Sequence, residues 1–332
     1  MSAVAVLAAC SAGRPAERAT AAAAAVPAPA RAGGWVEGTL AGAGAPRRYA
    51  LYVPAAYDPA RRHMLVVLLH GCTQDPEDLA RGTRIAAHAE REGFLALLPE
   101  QPASANPKKC WNWYDPAHQG RDAGEPAVVE GMTAQVMREY AVDPARVHLA
   151  GISAGAAMAS LVAVAYPERY AALALHSGLA WRAAGDVMTA LGVMAKGGGD
   201  ADALGAAAFA AMGARARAIP VLVIHGGKDA VVNPANGREG ARQWAATGAR
   251  ALGVASLQPA GEDAGEAGGY RWTRRCHADP AGRCLVEEWV VHELGHAWSG
   301  GAPEGTFTDA RGPDATAEMV RFFRDHPADG AR

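Results

Sequence analysis

The chain has 332 residues, half of them hydrophobic, and a formal net charge of −2 at pH 7. This length is enough for one large α/β domain or two small ones. The near-neutral charge gives no electrostatic reason to expect a nucleic-acid partner. No apolar run reaches the roughly 18 residues that a membrane-spanning helix needs.

The amino-terminal segment differs in composition from the rest of the chain. Residues 1–34 are low in complexity and rich in Ala. We interpret them as a signal- or lipoprotein-like leader with a disordered linker, and residues 35–332 as one catalytic domain. The stretch from Leu7 to Cys10 resembles a bacterial lipobox, so Cys10 is a candidate for lipidation. The apolar core is short and no Lys or Arg precedes it, so a disordered leader with an incidental cysteine is the alternative.

From residue 48 onward, short apolar runs alternate with helical segments. Strands are predicted over residues 48–54, 63–70, 94–98, 147–152, 171–176, 219–225 and 285–291. Helices are predicted over residues 77–92, 127–140, 154–165 and 314–324. This alternation predicts one doubly wound, mostly parallel α/β sheet with helices on both faces. The Ala/Gly-rich segment 178–218 is interpreted as a small lid-like insertion over the site.

The segment 147–155 is predicted to be a strand, a sharp turn and the start of a helix, with Ser153 at the turn. Gly151 and Gly155 flank the serine, where only residues without bulk fit because strand and helix nearly collide. In such a nucleophile elbow the hydroxyl lies at a helix N-terminus, where backbone N–H groups favour a developing negative charge. The alternative is a glycine-rich turn whose serine merely caps the helix.

Two later loops supply an acid and a base in the order found in α/β-hydrolases, which is serine, acid, histidine. Asp229 follows the predicted strand 219–225, at the sheet edge where sites in open α/β sheets lie. His296 follows the predicted strand 285–291. We predict that His296 takes the proton of Ser153 and returns it to the leaving alcohol, while Asp229 fixes the tautomer of His296.

Other residues compete for these two roles. By position alone, Asp186 or Asp263 could be the acid and His292 the base. His292 and His296 are four residues apart, a spacing that suits zinc ligands on a helix. Gly295 favours a loop at this point, so no metal site is predicted.

An oxyanion hole needs two backbone N–H donors, one of them from the residue after the nucleophile. Ala154 is that residue, and Cys72, in the loop after strand 63–70, is predicted to be the second donor. The Cys72 side chain is then free to bond Cys110, which would tie the oxyanion loop to the loop 99–125. A buried free thiol is the alternative.

Cysteine spacing predicts a further disulfide. Cys276 and Cys284 lie eight residues apart across a turn-rich loop between two strand-like runs, which suits a local bridge. With Cys72 paired to Cys110, Cys10 is the odd cysteine. Metal binding is the alternative use of the cysteines, but no C-x-x-C pair is present. Disulfides favour an oxidising compartment.

One dense aromatic cluster contains Trp111, Trp113 and Tyr114. Aromatic clusters commonly belong to a core. This one lies in the Pro/Gly-rich loop 99–125 above the sheet, so we predict that it forms a wall for substrate, with Trp298 as a further aromatic wall beside His296.

Together these residues resemble the polyhydroxybutyrate depolymerase family of esterases, α/β-hydrolases related to feruloyl and acetylxylan esterases. The matching stretches are residues 68–74, 110–113, 147–155, 176–178, 225–236 and 295–301. The resemblance implies that Ser153 is the nucleophile, Asp229 the acid and His296 the base. It also implies a secreted enzyme that cleaves esters without a metal or organic cofactor. One departure is the Gly-Gly-Lys lead-in to Asp229, where a more acidic turn is expected.

We therefore expect a serine carboxylesterase that works through an acyl-enzyme on short hydroxyacid esters or oligomers of the polyhydroxybutyrate type. Carbohydrate-linked esters of the feruloyl or acetylxylan type are alternative substrates. A non-catalytic hydrolase-fold binding protein and an acyltransferase are alternatives of other classes. The expected location is secreted, periplasmic or the bacterial cell envelope, with membrane contact only through a lipid at Cys10.

Overall fold

A ten-stranded sheet forms the centre of the protein. The structure is a computed structural model that describes residues 32–41 and 46–328. The strands are β1 (Gly34–Leu40), β2 (Arg47–Val53), β3 (His63–Leu69), β4 (Leu95–Pro99), β5 (Val142–Ile152), β6 (Leu173–His176), β7 (Val221–Gly226), β8 (Gln258–Ala267), β9 (Tyr270–Ala278) and β10 (Cys284–Val291). Their order in the sheet is β1-β2-β4-β3-β5-β6-β7-β10-β9-β8. The six central strands are parallel, and antiparallel strands extend the sheet at both edges.

Helices cover both faces of this sheet. They are α1 (Pro76–Thr83), α2 (Ile85–Glu92), α3 (Gly124–Glu139), α4 (Ala154–Ala165), α5 (Val187–Lys196), α6 (Ala201–Met212), α7 (Ala235–Ala251) and α8 (Ala315–Asp325). Side chains of α1, α2 and α8 share a core cluster with one face, and those of α3, α4, α6 and α7 share a cluster with the other. The predicted doubly wound, mostly parallel fold is confirmed.

Strand β3 has a continuous apolar sequence because both faces of the strand are buried. Leu65 and Val67 belong to the core on one face of the sheet, whereas Met64 and Val66 belong to the core on the other. All four side chains are buried. Successive side chains of a strand point to opposite faces, so a strand covered by helices on both sides has no polar face.

The helix predicted over residues 77–92 is in fact two helices. Arg84 breaks it with the left-handed backbone angles φ 54° and ψ 28°. In this position the Arg84 guanidinium donates to Gly300 O and lies 3.2 Å from the carboxylate of Asp314. These partners lie more than 200 residues away, so the local pattern could not indicate the break.

Three elements of the sheet and its cover, β1, β8 and α7, do not appear among the predicted elements. Strand β1 and the hairpin of β8 with β9 extend the two edges of the sheet, and β8 is largely exposed. Helix α7 contains three glycines and few large apolar residues, so its sequence lacks a clear apolar stripe. Edge strands with polar sequences likewise show little alternation of apolar and polar residues, so they are hard to predict.

The predicted insertion contains α5 and α6, which follow β6 and precede β7. Among residues 32–41 and 46–328, no helix combines the length and apolar character needed to cross a bilayer. Cys10 lies outside the described residues, so its lipidation stays a prediction, as does the boundary between leader and domain.

Candidate active site

Ser153 occupies a sharp turn between β5 and α4. Its backbone angles are φ 55° and ψ −122°, a region that residues with a Cβ rarely adopt. A Cβ added to Gly151 would lie 2.4 Å from the carbonyl carbon of Gly155, and one added to Gly155 would lie 2.3 Å from Leu69 O. Strand and helix therefore approach so closely that glycine is required on both sides of the serine.

Asp229 and His296 meet in a short hydrogen bond. The Nδ1 atom of His296 lies 2.7 Å from Oδ2 of Asp229. Since an ionised carboxylate only accepts, Nδ1–H donates and the lone pair of Nε2 is left available. The other oxygen of Asp229 accepts from the backbone N–H groups of Val231 and Val232, at 2.9 and 2.8 Å. The acid is thus held on both oxygens.

The electrostatic setting keeps Asp229 ionised. Burial opposes the charge of this carboxylate, but the hydrogen bond from His296, the electrostatic interaction with that ring and the backbone donation from Val232 outweigh it and lower the pKa of Asp229. The buried ring of His225 also lies 3.5 Å from Oδ2 of Asp229. Because His225 Nε2–H donates to Val232 O at 2.9 Å, His225 supports the loop that carries the acid.

His176 links the turn of the nucleophile to the loop of the base. Its carbonyl oxygen accepts from Ser153 N–H at 2.9 Å, and its Nε2 accepts from Ser299 N–H at 3.2 Å. The ring stacks on Trp298 with centroids 4.8 Å apart. Burial, together with nearby His225 and the base, lowers the pKa of His176 to about 3. His176 is therefore a neutral structural link between the two loops.

The predicted oxyanion loop has a free backbone donor at its centre. Gly71 N–H donates to Gln74 Oε1 at 2.9 Å, and Thr73 N–H donates to Lys108 O at 2.6 Å. Within the described part of the chain, no acceptor pairs with the intervening Cys72 N–H. Ala154 begins α4, so its N–H has no partner inside the helix either.

Both predicted disulfides are present. Cys72 bonds Cys110, which ties the loop after β3 to the loop 99–125. Cys276 bonds Cys284 and joins β9 to β10 at the far side of the sheet.

Gln74 joins the oxyanion loop to the segment that follows His296. Its side-chain oxygen accepts from Gly71, and its Nε2 donates to Thr306 O at 3.0 Å and to the carboxylate of Asp78 at 3.2 Å. Asp78 in turn accepts from Thr306 N–H at 3.0 Å. Apart from the presence of Gln74 in the stretch 68–74, no sequence pattern indicates this link.

The aromatic residues predicted as a substrate wall require a correction. Trp111 is fully buried and donates from Nε1 to His70 O at 3.1 Å. Trp113 and Trp298 are also core residues, and Trp298 Nε1 donates to Thr316 Oγ1 at 3.0 Å. Their indole rings are buried in the core and stabilise the loops that carry them, because burial removes their apolar area from water. Tyr114 is half-buried, and its role stays a prediction.

Phe307 is an exposed aromatic residue beside His296 that no sequence pattern indicated. Its ring meets the ring of His296 edge-to-face, with centroids 6.1 Å apart, and it is 42% exposed. Its backbone adopts φ 51° and its carbonyl accepts from Trp298 N–H at 2.7 Å. A bulky residue held at positive φ beside a candidate base indicates a functional position.

The competing acids and bases lie elsewhere. Asp186 accepts from Thr189 N–H and caps α5, and Asp263 pairs with Arg274 on the exposed hairpin. The Nε2 atom of His292 lies 2.8 Å from Thr273 Oγ1. In the ranges that the structure describes, no group of three or more metal-binding side chains occurs.

A cavity of about 640 Å³ lies away from these residues. It is lined by α6, α7 and β9, with Glu239, Arg242 and His277 among its polar side chains. None of Ser153, Asp229 and His296 lines it. We therefore place the candidate site by its hydrogen-bond geometry and not by cavity size.

The fold and these loops define an α/β-hydrolase. The family model described as esterase PHB depolymerase matches residues 47–264, and the chain belongs to this family.

Known relatives bear the names of a depolymerase and an esterase, and a solved structure shares the fold. Over 70% of the chain, it is 27% identical to poly(3-hydroxyalkanoate) depolymerase C from Paucimonas lemoignei, of which the match covers 54%. It is 33% identical to feruloyl esterase B from Neurospora crassa over 39% of the chain and 43% of the relative. The chain thus spans about half the length of these relatives. Acetyl xylan esterase from Aspergillus awamori shares the fold, with a TM-score of 0.67 and 19% identity over 87% of this chain and 99% of that one.

Proposed function

We propose that this protein is a serine carboxylesterase in which Ser153, His296 and Asp229 act together. The observation that carries the proposal is the 2.7 Å hydrogen bond between His296 and Asp229. His296 follows β10, Asp229 follows β7, and Ser153 follows β5. Since these strands are parallel, the three residues share one edge of the sheet.

The reaction proceeds in two balanced halves. Ser153 Oγ bonds to the acyl carbon of the ester while its proton passes to His296 Nε2. The C–O bond to the alcohol then breaks, and the alcohol leaves with that proton. In the second half, water gives a proton to His296 Nε2 while its oxygen bonds to the acyl carbon. The bond from the acyl carbon to Ser153 Oγ then breaks, His296 returns the proton to Oγ, and the acid leaves. The N–H groups of Cys72 and Ala154 stabilise the oxyanion in both halves.

The proposed substrates are hydroxyacid esters and oligomers of the polyhydroxybutyrate type. The family and the similarity to a poly(3-hydroxyalkanoate) depolymerase support this choice. Feruloyl and acetylxylan esters are the second candidates, because relatives bear those names. Two disulfides support a secreted or cell-envelope location, since disulfides persist in oxidising compartments.

The test compares three substrates side by side: hydroxybutyrate oligomers, feruloyl esters and acetylated xylan. We expect the highest kcat/KM on the oligomers, and Ser153→Ala to lower turnover of every ester by at least about 10⁴-fold. Faster turnover of the carbohydrate esters would transfer the assignment to them. Unchanged turnover by Ser153→Ala would contradict the mechanism. Absence of ester hydrolysis by the protein that retains Ser153 would leave the hydrolase-fold binding protein as the better interpretation. Product partition with added alcohols distinguishes an acyltransferase.

A further inference from the structure

The ring of His225 lies close to the acid of the candidate site. His225 is near the carboxyl end of β7, four residues before Asp229, and both side chains are buried. The Nε2 atom of His225 is 3.5 Å from Oδ2 of Asp229. The same oxygen is 2.7 Å from Nδ1 of His296. A nitrogen of each of the two imidazole rings is therefore close to one carboxylate oxygen.

The hydrogen bond to Val232 defines the tautomer of His225. Its Nε2 atom lies 2.9 Å from Val232 O. A carbonyl oxygen only accepts, so Nε2 carries the ring proton and Nδ1 holds the lone pair. No described residue forms a hydrogen bond with this buried Nδ1. The nitrogen near the carboxylate of Asp229 is thus the one that bears the hydrogen.

The surroundings of His225 keep its ring uncharged at neutral pH. Burial lowers the pKa of His225, and the nearby His296 and Arg238 act in the same direction. The hydrogen bond to Val232 O and the charge of Asp229 oppose this effect without outweighing it. The titratable and charged groups that interact with the ring are the side chains of Asp229, His296, His176 and Arg238.

Packing alone does not explain a histidine at position 225. A buried ring with an unpaired nitrogen costs free energy that an apolar side chain avoids. Gly237, in the first turn of α7, leaves room for the ring, since a Cβ added there would lie 2.7 Å from Nδ1 of His225. The fold therefore accommodates a polar ring beside Asp229 where an apolar side chain would serve the core better.

Backbone contacts already hold the loop of the acid against the loop of the base. Gly227 N–H donates to Val291 O at 2.8 Å, and Lys228 N–H donates to Leu294 O at 2.9 Å. The other oxygen of Asp229 accepts from two backbone N–H groups of its own loop. The histidine of β7 is therefore not required to keep the acid beside the base, and its remaining effect is on the charge of Oδ2.

We propose that His225 is a positioning residue that acts through Asp229 and makes His296 a weaker proton acceptor. This inference rests on the proposed function. A neutral N–H donor near Oδ2 stabilises the charge of the carboxylate, so the carboxylate stabilises a protonated His296 less. A base that holds its proton less tightly stays unprotonated to lower pH and returns the proton more readily to the leaving alcohol.

The proposal is tested by following protonation of His296 in two ways. NMR of the ring nitrogens in a Ser153→Ala background gives a titration midpoint without turnover. The acidic limb of the kcat/KM profile on a soluble p-nitrophenyl ester gives a second midpoint in the protein that retains Ser153. His225→Leu and His225→Phe remove the donor, whereas the amide of His225→Gln keeps an N–H donor. His292→Leu is the matched control, because the ring of His292 contacts Thr273 Oγ1.

We expect both midpoints to rise by about 0.5 pH unit in His225→Leu and His225→Phe, and to stay near the parent value in His225→Gln and His292→Leu. Thermal unfolding verifies that each variant is folded, and either apolar variant suffices. A midpoint that is unchanged or lowered without the donor, even if kcat falls, or an equal rise in His292→Leu would overturn the proposal. Absence of ester hydrolysis by the parent would contradict the proposed function, whereas the NMR titration judges His225 alone.

Discussion

The imidazole of His296 donates to the carboxylate of Asp229 across 67 positions of sequence, at 2.7 Å. This contact sets the tautomer of the ring and leaves Nε2 to accept a proton. Burial works against the charge of the acid, yet the hydrogen bond from the ring keeps the pKa of Asp229 below its ordinary value.

The role of Asp229 is tested by Asp229→Asn. We expect kcat to fall by about 10³–10⁴-fold with little change in KM, because an amide no longer holds His296 in the required tautomer. Steady-state kinetics on a soluble p-nitrophenyl ester measure the effect. Asp186→Asn and Asp263→Asn are the matched controls, since both were competing acids by position. A larger loss in either control would assign the acid elsewhere.

Gln74 is expected to act as a positioning residue. Gln74→Leu keeps the volume but removes the bonds to Gly71 N–H and Thr306 O. The buried groups left unpaired cost about 1–3 kcal/mol of unfolding free energy. We expect kcat to fall about 10–100-fold with KM nearly constant, because the oxyanion donor is displaced. Gln258→Leu, on the exposed hairpin, serves as the control; a stability loss with unchanged kcat would refute the positioning role.

The two disulfides are expected to differ in their effect on activity. Closing loops of 38 and 8 residues contributes about 4 and about 2.5 kcal/mol in the chain-entropy model. Replacing Cys72 and Cys110 by Ser should lower both stability and kcat, since that bridge holds the oxyanion loop. Replacing Cys276 and Cys284 by Ser should lower stability alone. Equal losses of kcat in the two double variants would contradict this difference.

His148 predicts a pH dependence of stability. Its ring is fully buried and stacks on Phe323 at 4.5 Å, and neither ring nitrogen has a hydrogen-bond partner among the residues that the structure describes. Burial, with the charge of Arg146, lowers the pKa of His148 well below its ordinary value. The unfolded chain therefore binds a proton more readily as the pH falls below about 6.5, and stability is lost in that direction.

The variant His148→Phe removes this proton site while keeping an aromatic ring against Phe323. Denaturant unfolding at pH 7.5 and pH 5 measures the free energy of unfolding for both proteins. We expect the variant to lose less stability than the parent between the two pH values. Since the comparison is a difference, any constant cost of repacking cancels. An identical loss in both proteins would show that His148 does not contribute.

The sequence was most informative where the physical constraint is local. Gly151 is required because β5 nearly touches the start of α4, and Gly155 because α4 nearly touches the carbonyl of Leu69 at the end of β3. Both glycines lie two residues from Ser153, so the turn was recognisable from five residues. Asp229 and His296 follow apolar strands, and parallel strands bring their carboxyl ends to one edge. Loops after such strands could therefore be expected to meet.

What the sequence did not indicate depends on contacts between distant segments. The bond from Gln74 to Thr306 spans 232 positions, and Phe307 adopts positive φ only because that segment is held by tertiary hydrogen bonds. The sequence could not show whether Trp111 is buried in the core or exposed to substrate, since an aromatic residue in a loop suits either role. The break at Arg84 likewise has partners far along the chain.

The most direct test of the mechanism is covalent trapping of the nucleophile. The protein is treated with a fluorophosphonate, digested and analysed by mass spectrometry. We predict a single adduct on the peptide that contains Ser153, with labelling strongly slowed in His296→Ala. An adduct on a different residue, or ester hydrolysis that persists without any adduct on Ser153, would contradict the account.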